Sequence, residues 1–383
     1  MSTPQARRAR IAIVGGGLAG LFAAWRLAQQ GERGFVLFEA RATLGGRIQS
    51  VDAAGAPMDV AAAARDGVDR FDLGPSWFWP ALQPQLAGLV DALGLARFDA
   101  FEDGELLVER SPHQPAVRLR GFASEPPAAR LRGGTGALVA ALRARLPDAG
   151  LHPGHTVHAL RLDAGEIELQ VQSADGAGQA WRAERVLLAL PPRLAAARLA
   201  LEPALPPGLL HRWRATPTWM APHAKYVAVY PQPFWRAQGL SGGARSAVGP
   251  LGEIHDVSMP GGHAALFGFV GLPAPARQAL GDEGLRARCR AQLGRLFGAG
   301  AATPVADALK DWAADPLTAT GDDQDAAAHH AGAPPPGAGH GPWQGRLVGI
   351  ASEWSPRFPG YLAGAVDAAE RGVRGCLGLP PAP

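Results

Sequence analysis

Glycines at positions 15, 17 and 20, followed nineteen residues later by Glu39, are the residues whose types and spacing point most directly to chemistry. Gly15 permits a tight turn, Gly17 lets backbone N–H groups approach a pyrophosphate at a helix N-terminus, and Gly20 lets that helix lie close to the preceding strand. Glu39 is placed to accept from a ribose 2′-hydroxyl. Lys225 is the second candidate. The cations of this chain are almost all Arg, with Lys only at 225 and 310. A compact ammonium whose proton is adjustable is a specific choice on an aromatic-flanked strand, although a lysine guarding a sheet edge is the other reading. Arg47, after the pair Gly45-Gly46, offers a planar fork for phosphate or carbonyl oxygens. A surface turn is the equal alternative there.

These residues need particular elements to hold them. Ile11 to Val14 reads as a buried strand, and Leu18, Leu21, Phe22, Trp25 and Ala28 share one face of a helix that starts at once. Gly31 to Gly34 breaks the helix, and Phe35 to Phe38 reads as a second buried strand ending at Glu39. Arg7-Arg8-Ala9-Arg10 ahead of an apolar stretch also resembles the head of a secretory signal, but the glycines, the turn and the strand that follow argue against cleavage. The Ala-rich stretch between Ser50 and Arg70 reads as a surface excursion. It returns as Phe71-Asp72-Leu73-Gly74-Pro75-Ser76-Trp77-Phe78-Trp79, an acid and a Gly-Pro turn beside three large aromatics, which suits a core or a pocket wall. Helices are expected over Leu86 to Leu95, Ala137 to Leu146 and Gly284 to Phe297, and at most a short hairpin between Phe101 and Arg130. Strands are expected from Thr156 to Val171, at Arg185 to Leu190, Lys225 to Tyr230, Gly252 to Val257, Ala264 to Val270, up to Asp311-Trp312, and at Arg346 to Ile350. Tyr361 stands where a turn meets the last helix.

At 383 residues, 47% hydrophobic and 19% charged, the chain is expected to form two or three globular domains. A net charge of only +3 with dispersed Arg argues against nucleic acid as a partner. No uninterrupted apolar run reaches membrane length, so no membrane span is expected. Cys289 and Cys376 form no metal or redox spacing, and a reducing cytoplasm is the expected home. The loop from Ala326 to Gly345 holds His329, His330 and His340 without the cysteine or acid spacing of a metal site, so none is expected.

Taken in order, VGGGLAG, EAR…LGGR at Glu39 to Arg47, DLG-x-SW at Asp72 to Trp77, GGTGALVAAL, LLALPP, KYVAVYPQPFWRAQGLSG, DWAADP and the closing E-x8-Y-x2-GAV-x3-ER at Glu353 to Arg371 resemble the flavin-containing amine oxidase family. The resemblance covers most of the chain. It implies an α/β, two-domain fold: a discontinuous Rossmann-like FAD-binding domain over 8–85, 131–205 and 315–376, and a substrate domain over 86–130 and 206–314 with a mostly antiparallel sheet. It also implies that Gly15, Gly17, Leu18, Ala19, Gly20, Glu39, Ala40 and Arg41 hold the ADP half of FAD. Gly46 and Arg47 then sit near the pyrophosphate, Val157 at the adenine, and Glu353 by the ribityl chain. Gly74, Pro75, Ser76, Trp77 and Gly360 complete the expected cofactor contacts. For catalysis it implies Lys225, matching the lysine that holds a water against flavin N5, Trp312 near the ring, and Tyr361 as one wall of an aromatic cage.

Three departures modify this expectation. Thr320-Gly321-Asp322-Asp323 stands where covalent members carry a flavin-linking Cys followed by a cage Tyr, so FAD is expected to be non-covalent and the second wall to be missing or replaced, with Trp77, Trp79 and Trp354 as candidates. Ala351 replaces the glycine before the closing glutamate. The helical insert of the family is reduced to Phe101 to Arg130, which leaves a more open entrance. The resemblance therefore implies an oxidoreductase that moves a hydride from an amine to flavin N5 with O₂ as acceptor, giving imine and hydrogen peroxide. Two other readings stay open: an FAD-dependent desaturase or porphyrinogen-type oxidase of a larger apolar substrate, and a flavin-fold protein that binds without turnover.

Overall fold

The computed structural model describes residues 7–59, 69–121, 123–324 and 332–381. The chain divides into two compact units, Met1–Arg47 with Leu138–Trp219 and Ala327–Pro383, and Ile48–Ala137 with Met220–Ala326.

In the first unit the strand Arg7–Val14 runs parallel to Phe35–Glu39 on one side and to Gly178–Leu188 on the other. Leu347–Gly349 and Leu151–Pro153 extend the parallel layer at its two ends. All five residues of Phe35–Glu39 are buried, as the continuous apolar run requires for a strand covered on both faces. The strand Gly178–Leu188 also pairs antiparallel with Glu166–Ser173, which in turn pairs with His155–Asp163. Within this layer, alternate residues such as Val36, Phe38, Val186 and Leu188 join Val157, Leu169 and Trp181 in one core. The helix Leu18–Gln29 lies beside Leu362–Leu377, the contact being fastened by a two-pronged ion pair from Arg26 Nε and Nη2 to Glu370 at 2.7 and 3.0 Å.

The second unit is built on a seven-stranded sheet in the order Ala306–Asp311, Ala224–Tyr230, Ala264–Val270, Leu251–Asp256, Leu240–Ser246, Glu105–Glu109, Val117–Arg120. Every pairing is antiparallel except that of Leu240–Ser246 with Glu105–Glu109. Period-two alternation along Ala224–Tyr230 sends Tyr226, Ala228 and Tyr230 to a core covered by the helix Ala274–Phe297. Val227 and Val229 go to the opposite face, against Phe71, Leu73 and Phe267.

Several boundaries differ from those read in the sequence. Before the helix expected from Gly284, the chain already has helical turns from Ala274, and the two segments meet at Gly281, where φ is 66° and the backbone leaves the helical region. The sequence reading placed 8–85 with the nucleotide domain, whereas residues 48–85 cluster in the second unit through Val51, Phe71 and Leu73. The excursion after Ser50 is closed by antiparallel pairing of Ser50-Val51 with Phe71-Asp72, and its residues 60–68 lie outside the described ones. His329 and His330 also lie outside them, and His340 is exposed.

A Cβ at Gly20 would stand 2.0 Å from the Gly15 carbonyl oxygen, while one at Gly17 would meet nothing nearer than 3.7 Å. Gly20→Ala is therefore expected to destabilise the ligand-free chain by about 1–3 kcal/mol. Gly17→Ala is expected to stay within about 0.5 kcal/mol of the parent. Urea unfolding of the two variants measures this, and equal losses would show that the two glycines do not differ in role.

Candidate active site

The first unit brings Gly15 to Gly20, Glu39 to Arg41, and Leu44 to Arg47 into one cradle. Gly15 has φ of +110° and leaves no room for a Cβ, which would lie 2.7 Å from the Ala189 carbonyl oxygen. The helix Leu18–Gln29 then starts with no side-chain cap and no acid in its first turn, so Leu18, Ala19 and Gly20 present an N-terminus open to an anion. The segment after Glu39 crosses this turn: Gly45 N–H donates to Gly16 O at 2.9 Å, and Gly46, with φ of +60°, would place a Cβ 3.1 Å from Gly17 Cα. Glu39 is buried and accepts from Gly16 N–H at 2.7 Å and Arg41 N–H at 2.8 Å. Burial raises its pKa, and those N–H groups oppose the rise. Ala40 lies at the end of this strand, and Val157 is buried on the neighbouring part of the same sheet.

Arg47 and Glu353, expected at two points along the cofactor, are bound to each other. Arg47 Nη1 and Nη2 donate to the two carboxylate oxygens at 2.6 and 3.0 Å, and Nη2 also reaches Ser352 Oγ at 3.1 Å. Burial alone would raise the Glu353 pKa, but the guanidinium and the Ser352 hydroxyl outweigh it and hold the carboxyl below its usual range. Glu353 therefore stays an anion and fixes the arginine fork.

Tyr361 is half-exposed at the N-cap of Leu362–Leu377 and faces another ring, Trp219, at 6.5 Å between centroids and 36° between planes. Gly360 permits this approach: its φ is +83°, and a Cβ there would lie 2.5 Å from Trp219 Cβ. The aromatic partner of Tyr361 is thus Trp219, which sequence reasoning missed. Of the three tryptophans considered for that place, Trp354 is in the core, edge-on to Trp213 at 5.4 Å, and Trp77 leans on His255 and Phe267. Trp79 stands at the turn before the helix Pro84–Ala92. Trp219 carries no local signal, being one aromatic in the Pro-broken stretch Thr216 to Pro222 and far from Tyr361 in sequence.

In the second unit Lys225 shares its strand face with Val227 and is only 3% exposed. Its Nζ donates to Gly74 O at 2.8 Å and to Ser76 Oγ at 2.5 Å, and lies 4.0 Å from the centre of the Phe267 ring. The Gly74-Pro75-Ser76 turn is held by Thr135, whose hydroxyl lies 3.0 Å from Pro75 O and 2.9 Å from Asp72 Oδ1. Trp312 closes the other side, with its indole N–H on Leu73 O at 3.0 Å and the Lys310 ammonium 4.6 Å from its ring centre. Burial, only partly offset by Asp72, and the positive charge of Arg130 bring the Lys225 pKa down to about 7. Asp72 was visible as an acid in an apolar run. Arg130 was not distinguishable among so many arginines, yet it is 2% exposed and its Nε and Nη2 have no hydrogen-bond partner.

The family model for flavin containing amine oxidoreductases matches residues 113–377, and that for NAD(P)-binding Rossmann-like domains matches 13–93. An L-amino acid dehydrogenase of Synechocystis is 26% identical over 263 residues, covering 66% of this chain and 52% of the relative. The chain thus spans about half the length of the curated relatives it matches. Among solved structures, wild-type putrescine oxidase bound to putrescine superposes with a TM-score of 0.75 at 20% identity, over 97% of this chain and 99% of that one. Cyclohexylamine oxidase from Brevibacterium oxydans also gives 0.75, at 18% identity over 96% and 98%. At such identities the likeness is one of fold.

A lysine whose folded pKa of about 7 lies below its ordinary value of 10.5 gives the unfolded chain the extra proton between those two pH values. Stability contributed through Lys225 is then expected to rise with pH across that window, by at most about 1.4 kcal/mol per pH unit. Urea unfolding of the parent and of Lys225→Met from pH 7 to 10 tests this. The methionine variant should lose that part of the slope, and parallel curves would mean that Lys225 is not a depressed ammonium.

Proposed function

Because the chain belongs to the flavin-containing amine oxidoreductase family, we propose that it oxidises the carbon–nitrogen bond of a small amine. FAD is the cofactor of the family, and the residues of the first unit suit it. The observation that supports this independently of the likeness is Gly17: nothing in the chain requires a glycine there, since an added Cβ is accommodated. A pyrophosphate drawn to the uncapped helix N-terminus does require it. Gly15, Leu18, Ala19 and Gly20 would hold the phosphates, Glu39 with Ala40 and Arg41 the ribose, Val157 the adenine, and Glu353, fixed by Arg47, the ribityl chain. FAD supplies, when bound, a hydride acceptor at N5 that O₂ restores with release of hydrogen peroxide. We take attachment to be non-covalent. The Thr320 to Asp323 stretch has no thiol and closes on itself, with Thr320 Oγ1 donating to Asp323 at 2.8 Å, and both cysteines are buried elsewhere.

The remaining steps fall to this chain's side chains. Trp219 and Tyr361 offer two ring faces to the carbon skeleton of the substrate, and an apolar aromatic setting favours the neutral amine over its ammonium. The single observation that carries the assignment is the burial of Lys225. Two acceptors fix its Nζ, and with a pKa near 7 it can hold or release a proton on a bound water at ordinary pH. Ser76 bonds it directly, and Trp312 holds the Leu73 carbonyl next to the Gly74 acceptor.

The test is anaerobic mixing of the flavin-loaded protein with a panel of monoamines, diamines and amino acids, following the visible flavin absorbance. Bleaching by at least one amine is expected, and Lys225→Met is expected to slow flavin reduction or reoxidation by about tenfold or more without releasing the flavin. A flavin that no compound on the panel bleaches sinks the proposal. Trp219→Ala is expected to raise the KM of the responding amine by about three- to tenfold, while Trp219→Phe keeps it near the parent value. Steady-state kinetics of the two variants reads this difference, and equal KM values would take Trp219 out of the substrate site.

A further inference from the structure

A cavity of about 570 Å³ opens within the first unit, between the end of the helix Pro207–Ala215, the segment 332–336, Trp354, Pro356 and the helix Leu362–Leu377. That volume is ligand-sized. Most of its wall is apolar, from Ala215, Ala333 and the prolines, and two guanidiniums, Arg212 and Arg371, border it. Neither arginine side chain has a hydrogen bond or ion pair among the described residues. The nearby acids on the last helix are occupied: Glu370 by Arg26 and Arg374, Asp367 by Ser355. The wall also contains one buried, unanswered donor, since Trp354 is 2% exposed and its indole N–H has no acceptor.

The walls are fixed in place. Pro335 O accepts from Trp213 Nε1 at 2.9 Å and Pro336 O from Gly349 N–H at 2.7 Å, which pins the proline segment to the sheet. Trp354 is held edge-on by Trp213, and Gly349 is glycine where a Cβ would come within 2.2 Å of the Trp354 ring. A preformed apolar hollow with two unpaired cations has one complementary class of occupant. We infer that this cavity binds a small organic anion, a single carboxylate, phosphate or sulfonate carried on a compact apolar body. None of its side chains is among those assigned to FAD or to the amine, so this inference stands apart from the proposed activity.

Anilinonaphthalene sulfonate, titrated into the flavin-loaded full chain by calorimetry, is the probe, with the uncharged N-phenylnaphthylamine as its control. Saturable binding at one site per chain is expected. Arg212→Gln with Arg371→Gln should weaken the sulfonate by about tenfold or more while leaving the uncharged control unchanged. Trp354→Phe should give a smaller loss. Both arginines are exposed, and an unaltered thermal transition of the variants, with unaltered flavin content, confirms that the effect is local. Sulfonate binding that is equal in the parent and the double variant, that is not saturable, or that involves several sites per chain overturns the inference.

Discussion

An ammonium group that is 3% exposed must find acceptors for its hydrogens or give one up, and much of the second unit around Lys225 follows from that requirement. Two acceptors come from the Gly74 carbonyl and the Ser76 hydroxyl, on a turn that Thr135 ties to Asp72. The remaining side is a ring face, that of Phe267. Asp72 is the counter-charge, but it is itself buried, and burial pushes its carboxyl pKa up even though Lys225, Arg130, Thr135 and Ser50 oppose the rise. Asp72 and Lys225 support each other's charge, whereas Arg130 supports Asp72 and opposes Lys225, so removing one member of the opposite-charge pair costs more than the pair contributes.

The first unit solves a different problem, that of exposing backbone donors while keeping the strand and helix close. Three glycines divide the work for separate reasons. Gly15 is required by its positive φ and by the carbonyl of Ala189, and Gly20 by the carbonyl of Gly15. Gly17 is required by neither, which leaves its open side for something outside the chain. The segment with Gly45 and Gly46 crosses the same turn and bonds to Gly16, so this side of the cradle is closed by backbone groups.

Much of this was legible in the sequence because it is local. The strand, turn, helix and acid of residues 11–39 are read by period and by glycine spacing, and the short apolar, aromatic run after Lys225 is read as a strand. What stayed hidden depends on separations that periodicity does not report. Arg47 binds Glu353 across 306 positions, and Trp219 meets Tyr361 across a gap of similar kind. Arg130 looks like any other arginine until its burial is known. The helical turns from Ala274 were not read because Gly281, with its non-helical backbone, separates them from the helix that ends at Phe297.

The two lysines of the chain add a last step, because they are direct cross-strand partners, Lys225 opposite Lys310. Directly opposed like charges on one face of an antiparallel pair repel, and the chain relieves this unequally. Lys310 has its own carboxylate, Asp315 at 2.6 Å, and is less deeply buried. Lys225 donates only to neutral oxygens at hydrogen-bond distance, with Asp72 acting through charge alone. An arginine at either place would remain charged under all ordinary conditions. With lysine at both, Lys310 is held by Asp315 over the Trp312 ring, and Lys225, which has no carboxylate at hydrogen-bond distance among the described residues, becomes the group whose charge the surroundings decide.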